Sequence, residues 1–222
     1  MEEIDYFTPD PKYKDYPLDL AIEKRAKEIV DEYQITTWFE TGIDLGSTAL
    51  TASKLVNKWI GVEIKKESCE LAARRFAENN ITNCEIIHGN SPVVLLNKMH
   101  QLDVDKTIFF LDAHWGAYWP LLDEIDCISR GKGVIIIHDF QVPGRPELGF
   151  DTWNNKILNY DYVKDAMTRW SPTHRIEYCE DSIHAVKRGV AYFFPRENIK
   201  KGELIFQLSF FLTSLELAYG NS

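Results

Sequence analysis

Two acid and imidazole pairs stand at the ends of apolar runs: Phe110-Leu111-Asp112-Ala113-His114 and Ile137-His138-Asp139-Phe140. Carboxylates and imidazoles brought together in this way permit two kinds of chemistry. Asp112, Asp139 and His138 could hold a divalent ion that lowers the pKa of an acceptor hydroxyl and orients it. Alternatively, His114 or His138 could take the hydroxyl proton directly. In a third reading both carboxylates serve only as strand-end hydrogen-bond acceptors. A second constellation lies upstream, in Glu40-Thr41-Gly42-Ile43-Asp44-Leu45-Gly46-Ser47-Thr48, followed by Glu63 and by His88-Gly89-Asn90-Ser91. Two glycines after an apolar run allow a ligand to approach the backbone closely. Ser47 or Thr48 is expected to cap a helix whose first N–H groups favour an anion such as a carboxylate.

These residues share one rim only if the runs before them are strands of a single parallel sheet. From residue 35 onward short apolar runs alternate with helical patterns, as crossover helices between parallel strands require. Strands are expected at Thr37 to Ile43, Trp59 to Ile64, Cys84 to His88, Thr107 to Ala113 and Val134 to Phe140, then at Arg175 to Cys179 and Ala191 to Phe194. Helices are expected at about Thr48 to Asn57, Lys66 to Asn79, Pro92 to Gln101 and Pro120 to Arg130, covering both faces. Residues 1 to 17, with Pro9, Pro11 and Pro17, read as an extended arm leading into a helix from about Leu18 to Tyr33. Gln141 to Asn154, carrying Pro143, Gly144, Pro146 and Gly149, reads as a functional loop. Leu204, Leu208, Phe211, Leu215 and Ala218 form an apolar helical stripe that could dock on the parent core or pair in a homodimer.

The ligand can be narrowed from these positions. Neither GxxxxGK[ST] nor GxGxxG is present, so nucleotide phosphates are poor candidates and a nicotinamide oxidoreductase is disfavoured. Glu63, at the end of the second strand, can accept hydrogen bonds from both hydroxyls of a ribose. Asn90 and Ser91, arriving at the same edge, could read an adenine. A ribose and an adenine without phosphate, beside an acidic Glu40 suited to an ammonium, fit S-adenosylmethionine (SAM).

Here the sequence resembles the class I SAM-dependent methyltransferases over about residues 35 to 194. The loop Glu40-x-Gly42-x-x-x-Gly46-x-Thr48 looks most like that of the macrocin-type sugar O-methyltransferases and the catechol-type enzymes. The resemblance implies a Rossmann-like α/β fold, a seven-stranded mostly parallel sheet with helices on both faces and an antiparallel last strand. Together with the proline-rich start and the C-terminal stripe, this gives an expected division into an N-terminal arm and helix (1–34), a SAM-binding domain (35–197) and a C-terminal helical extension (198–222). The resemblance also implies that Glu40, Thr41, Gly42, Gly46, Ser47 and Thr48 surround the methionine part, that Glu63 holds the ribose, that Asn90 and Ser91 meet the adenine, and that Asp112 reaches the cofactor. Metal-dependent relatives commonly carry an acidic pair where His138-Asp139 stands. Magnesium prefers all-oxygen ligands, whereas manganese accepts an imidazole.

The acceptor is expected to be a small molecule with a hydroxyl, of sugar or phenolic type. Lys+Arg 25 against Asp+Glu 34 leave a net charge of −9, which disfavours nucleic acid and anionic membranes as partners. The Asn/Asp-Pro-Pro-aromatic motif of nucleic-acid amino methylation is absent. Trp115, Tyr118, Trp119, Phe140, Phe150 and Trp153 are candidates for the acceptor wall. No apolar run reaches the roughly 18 residues of a membrane span. The acidic start lacks the blocks of a secretory signal, so a cytoplasmic location is expected. Cys69, Cys84, Cys127 and Cys179 are scattered and read as reduced thiols. A noncatalytic nucleoside-binding module is the alternative to an enzyme.

Overall fold

A computed structural model describes residues 20–113, 118–179 and 188–195. The first strand, β1 (Thr37–Thr41), is buried along its whole length. It pairs in parallel with β2 (Lys58–Glu63) on one side and β4 (Thr107–Leu111) on the other. Outside these lie β3 (Cys84–His88), parallel to β2, and β5 (Val134–His138), parallel to β4. Near-continuous apolar runs such as Val134 to Ile137 suit strands covered on both faces.

A short hairpin of β6 (Thr152–Trp153) and β7 (Lys156–Ile157) follows β5, and two more strands, β8 (Arg175–Tyr178) and β9 (Val190–Phe194), complete the main sheet. Its order is β3-β2-β1-β4-β5-β9-β8, with β9 antiparallel to both neighbours. The expected seven-stranded, mostly parallel Rossmann-like sheet with an antiparallel last strand is therefore observed. Strand order reverses between β1 and β4, and such a switch point opens a crevice at the carboxyl ends of the strands.

Alternation along each strand sends side chains to two separate cores. Trp38, Trp59 and Phe110 pack with α1 (Leu20–Tyr33), α2 (Ala49–Ala52) and α3 (Lys66–Glu78) on one face. Phe39, Ile60 and Phe109 pack with α4 (Ser91–Lys98), α5 (Leu121–Cys127) and α6 (Tyr160–Trp170) on the other. Each face thus buries apolar side chains worth roughly 1.5–3 kcal/mol apiece.

Two elements depart from expectation. The helix expected over residues 48–57 shrinks to the four residues of α2, because the chain must return to the sheet: the amides of Asn57 and Lys58 both donate to the Thr36 carbonyl. The helix α6 was not anticipated. Its N-cap Asn159 accepts from the Tyr162 amide, and Val163, Ala166, Met167 and Trp170 form its buried stripe. Within 141–154, the expected loop ends in β6 rather than in coil. The N-terminal arm, the C-terminal stripe, His114 and Trp115 lie outside the described residues. Among those described, no helix is long and apolar enough to cross a membrane. The four cysteines form no disulfide.

Candidate functional site

The exit of β1 is built around Gly42. Its φ is +70°, and a Cβ there would lie 2.6 Å from the Asp112 carbonyl oxygen at the exit of β4. Only glycine lets these two strand ends approach so closely. The Gly42 amide donates to the Val62 carbonyl at 2.9 Å, and the Asp112 amide to the Thr41 carbonyl at 3.2 Å and to Thr41 Oγ1 at 3.3 Å. Thr41 is fully buried, so its hydroxyl fixes the strand ends. Gly46, φ +69°, closes the turn against α3, where a Cβ would meet the Phe76 ring at 2.6 Å.

Ser47 and Thr48 are placed differently from the capping expectation. Thr48 sits at the N-cap of α2 in helical conformation and makes no side-chain cap, and Ser47 Oγ accepts from Arg75 Nη1 of α3 at 2.8 Å. A four-residue helix has too few aligned peptides to offer the anticipated anion site. Arg75 instead braces the loop from below, a contact across 28 residues that no local pattern reveals.

Glu40 is 1% exposed, and its Oε2 accepts from the Trp59 indole at 3.1 Å. Burial pushes its pKa up to about 8; repulsion from Asp112 adds to this, and hydrogen bonds from Trp59 and Thr48 offset part of it. Glu40 therefore keeps its proton near neutral pH.

Glu63 solves its burial in another way. It is 7% exposed, yet Oε2 accepts from the Asp44 amide and Oε1 from the Lys65 amide, each at 2.9 Å. Two backbone donors orient the carboxylate at the tip of β2, beside the Gly42 turn. Each oxygen keeps a second lone pair. Glu63 and Gly42 thus share one rim.

The Asn90 side chain is exposed at the N-cap of α4 and makes no cap, whereas Ser91 is buried and donates to Glu124 of α5. The Ser91 hydroxyl is thereby turned to the α4–α5 contact. Glu124 is a fully buried carboxylate with no motif around it in the sequence.

At the ends of β4 and β5, Asp112, His138 and Asp139 offer three ligand atoms within 4.8 Å of one another. His138 Nδ1 lies 3.2 Å from Asp112 Oδ1 and 3.4 Å from Asp139 Oδ1. Burial pulls the imidazole pKa down, but the Asp139 and Asp112 carboxylates outweigh it and hold the value well above 6.5. Asp139 is itself buried, adopts φ +56°, and receives a hydrogen bond from Arg188. Arg188 also donates to Asp151, just before β6 in the 141–158 loop, the segment that links β5 to α6. Neither Arg188 nor Asp151 has a local signature, since they lie 49 and 12 residues beyond Asp139 in the chain.

The aromatic candidates separate by burial. Phe140 is fully buried against Tyr178 and Phe193, and Trp119 is 4% exposed, stacked on Trp153 at 5.9 Å and edge-on to Tyr162 at 5.3 Å. Trp153 and Phe150 are half-buried, and Tyr118 is exposed with its phenol on Asp123.

No family model and no curated protein matches the chain. Solved structures do. The O-methyltransferase TomG from Streptomyces achromogenes, involved in tomaymycin synthesis and solved with SAM, is 14% identical over 80% of this chain and 81% of its own, with a TM-score of 0.59. An O-methyltransferase from Bacillus cereus, solved with SAH, is 14% identical over 80% and 82%, TM-score 0.57. A precorrin-8w decarboxylase from Methanobacterium thermoautotrophicum is 11% identical over 80% and 90%, TM-score 0.53. The chain has the Rossmann-like methyltransferase fold. At such identities the likeness speaks for the fold alone.

Proposed function

We propose that the chain is a SAM-dependent methyltransferase acting on a hydroxyl of a small molecule. One observation carries the reading: Glu63, held by the Asp44 and Lys65 amides, stands on the same sheet rim as Gly42 and the Asp112, His138 and Asp139 cluster. A donor site and a proton-handling site are then within one crevice. The likeness of the first loop to those of sugar and catechol O-methyltransferases supports a hydroxyl as acceptor, and the net charge of −9 supports a small molecule over nucleic acid.

Bound SAM would supply an activated methyl group on a cationic sulfur. In this chain Glu63 accepts ribose hydroxyls through its remaining lone pairs, the exposed Asn90 amide is available to an adenine edge, and Gly42 leaves backbone room. Glu40, once ionised, attracts the ammonium. The acceptor proton leaves toward Asp112, whose carboxylate His138 orients.

The cluster also fits a divalent cation. Ligand atoms 3.2 and 3.4 Å apart match the edges of about 3 Å expected for adjacent ligands at about 2.1 Å from an ion. Two carboxylates and an imidazole suit manganese better than magnesium. Asp112, His138 and Asp139 would hold such an ion, which would lower the acceptor hydroxyl pKa.

Thermal unfolding with SAM, SAH or NAD at matched concentrations tests the reading, since a ligand preferring the native state raises the midpoint. Stabilisation by SAM and SAH and not by NAD is expected. A response to NAD alone refutes it.

A further inference from the structure

Immediately before β9, Arg188 reaches back over the end of β5. Its Nε donates to Asp139 Oδ1 and its Nη2 to Asp151 Oδ1. The same Asp139 oxygen lies 3.4 Å from His138 Nδ1. One guanidinium therefore joins the strand-end cluster to the loop that follows it.

The surrounding backbone fixes this register. The Asp151 amide donates to the Asp139 carbonyl, the Gly189 amide to the Gly149 carbonyl and the Phe140 amide to the Gly189 carbonyl, each at 2.9 Å. A Cβ at Gly189 would lie 2.1 Å from the Phe140 oxygen, so no other residue admits this approach. Arg188 is held where it must meet Asp139, and its charge opposes any cation drawn to that oxygen.

We propose that Arg188 is a positioning residue acting through Asp139: it pins the 141–158 loop to the cluster and, by compensating the Asp139 carboxylate, holds down the cluster's affinity for a divalent cation. This rests on the reading of Asp112, His138 and Asp139 as a cation-binding cluster. Charge and geometry make separable contributions. Lysine keeps the charge without the planar fork, and glutamine removes the charge.

The test titrates Mn²⁺ into the full chain, following the free ion by electron paramagnetic resonance, and measures amide hydrogen exchange in 141–158 and at Gly189. Arg188→Gln is expected to bind Mn²⁺ at least about tenfold more tightly, because an opposing charge has left the site. Arg188→Lys is expected to stay within about threefold of wild type. Both variants, and Asp151→Asn, are expected to speed exchange at the Asp151 and Gly189 amides. The double variant Arg188→Gln/Asp151→Asn removes both ends of the Arg188–Asp151 contact while still freeing the Asp139 oxygen, and carries the expectation of tighter binding if the single variant does not fold.

A merely structural arginine would lower Mn²⁺ affinity when replaced. Unchanged or weaker binding in the charge-removing variants overturns the proposal, as does failure of every protein to bind Mn²⁺ or unaltered exchange. SAM binding by calorimetry runs in parallel: a wild type that ignores SAM removes the methyltransferase reading, and the Mn²⁺ and exchange results still decide the role of Arg188.

Discussion

Replacing Glu40 by glutamine tests the electrostatics of the β1 exit. The folded carboxyl titrates at about 8 against an ordinary value of 4.5, with burial the main cause and Asp112 the next. Between these values the unfolded chain has lost the Glu40 proton and the folded chain still holds it. The folded state binds more protons in that window, so wild-type stability falls as pH rises, by about 1.4 kcal/mol per pH unit and by about 5 kcal/mol over the whole span. The glutamine variant can still accept from Trp59 and lacks this slope. Its extra amide N–H groups add an offset that does not vary with pH. Urea unfolding of both proteins at pH 5, 6, 7 and 8.5 gives the difference directly, because groups common to both chains largely cancel. The variant is expected to gain on wild type steadily from pH 5 to 8 and then level off. SAM binding offers a second readout: at pH 7 the Glu40 carboxyl is held mainly in its protonated form, so binding of an ammonium there releases a proton. Parallel stability profiles, together with no proton release detectable in buffers of different ionisation enthalpy, would refute the reasoning.

Three further outcomes are expected. Gly42→Ala places a Cβ 2.6 Å from the Asp112 carbonyl at a left-handed φ, and should lower stability by more than about 2 kcal/mol in urea unfolding while abolishing SAM binding. Glu63→Gln sets an amide N–H₂ against one of two backbone donors; calorimetry should show SAM affinity reduced at least about tenfold, with a stability loss of about 1–3 kcal/mol. His138 must shed the Nδ1 proton that its two carboxylates retain before it can ligate, so wild-type Mn²⁺ affinity should rise by up to about tenfold per pH unit through neutrality, and a pH-independent affinity contradicts this.

The parallel strands were legible because a strand buried on both faces must be apolar throughout, and residues such as Val134 to Ile137 have no other use. The strand ends followed from them, which is why Glu40, Glu63, Asp112 and Asp139 could be brought to one rim before any coordinates. The helix α6 carries equally legible signals, Asn159 as N-cap and the spacing of Val163, Ala166, Met167 and Trp170, directly after the turn-rich residues 141–154. The contact between Ser47 and Arg75 was not legible, nor was that between Ser91 and Glu124. Those partners come from other helices, 28 and 33 residues away, and hydroxyls that read as ligand contacts are turned toward them. Arg188 falls in the same class. A half-buried ion pair spanning 49 residues leaves no periodicity or spacing to detect.

The rim gathers four carboxylates at the ends of four parallel strands, and each is kept from destabilising the fold by a different device. Glu63 is satisfied by backbone amides and stays available to neutral hydroxyls. Glu40 retains a proton that a cation can displace. Asp139 shares Arg188 and His138, and Asp112 shares His138. Devices of such different strength imply an order of response to an arriving cation. A ligand ammonium near Glu40 displaces only a proton, whereas a metal ion at Asp139 must contend with a guanidinium fixed by the backbone around Gly189. Cofactor binding should therefore need less rearrangement than metal binding, and the first should survive changes at Arg188 that alter the second. Sequence motifs locate the acids; the distinct compensation of each acid governs what the site can take up, and that compensation is a property of the fold.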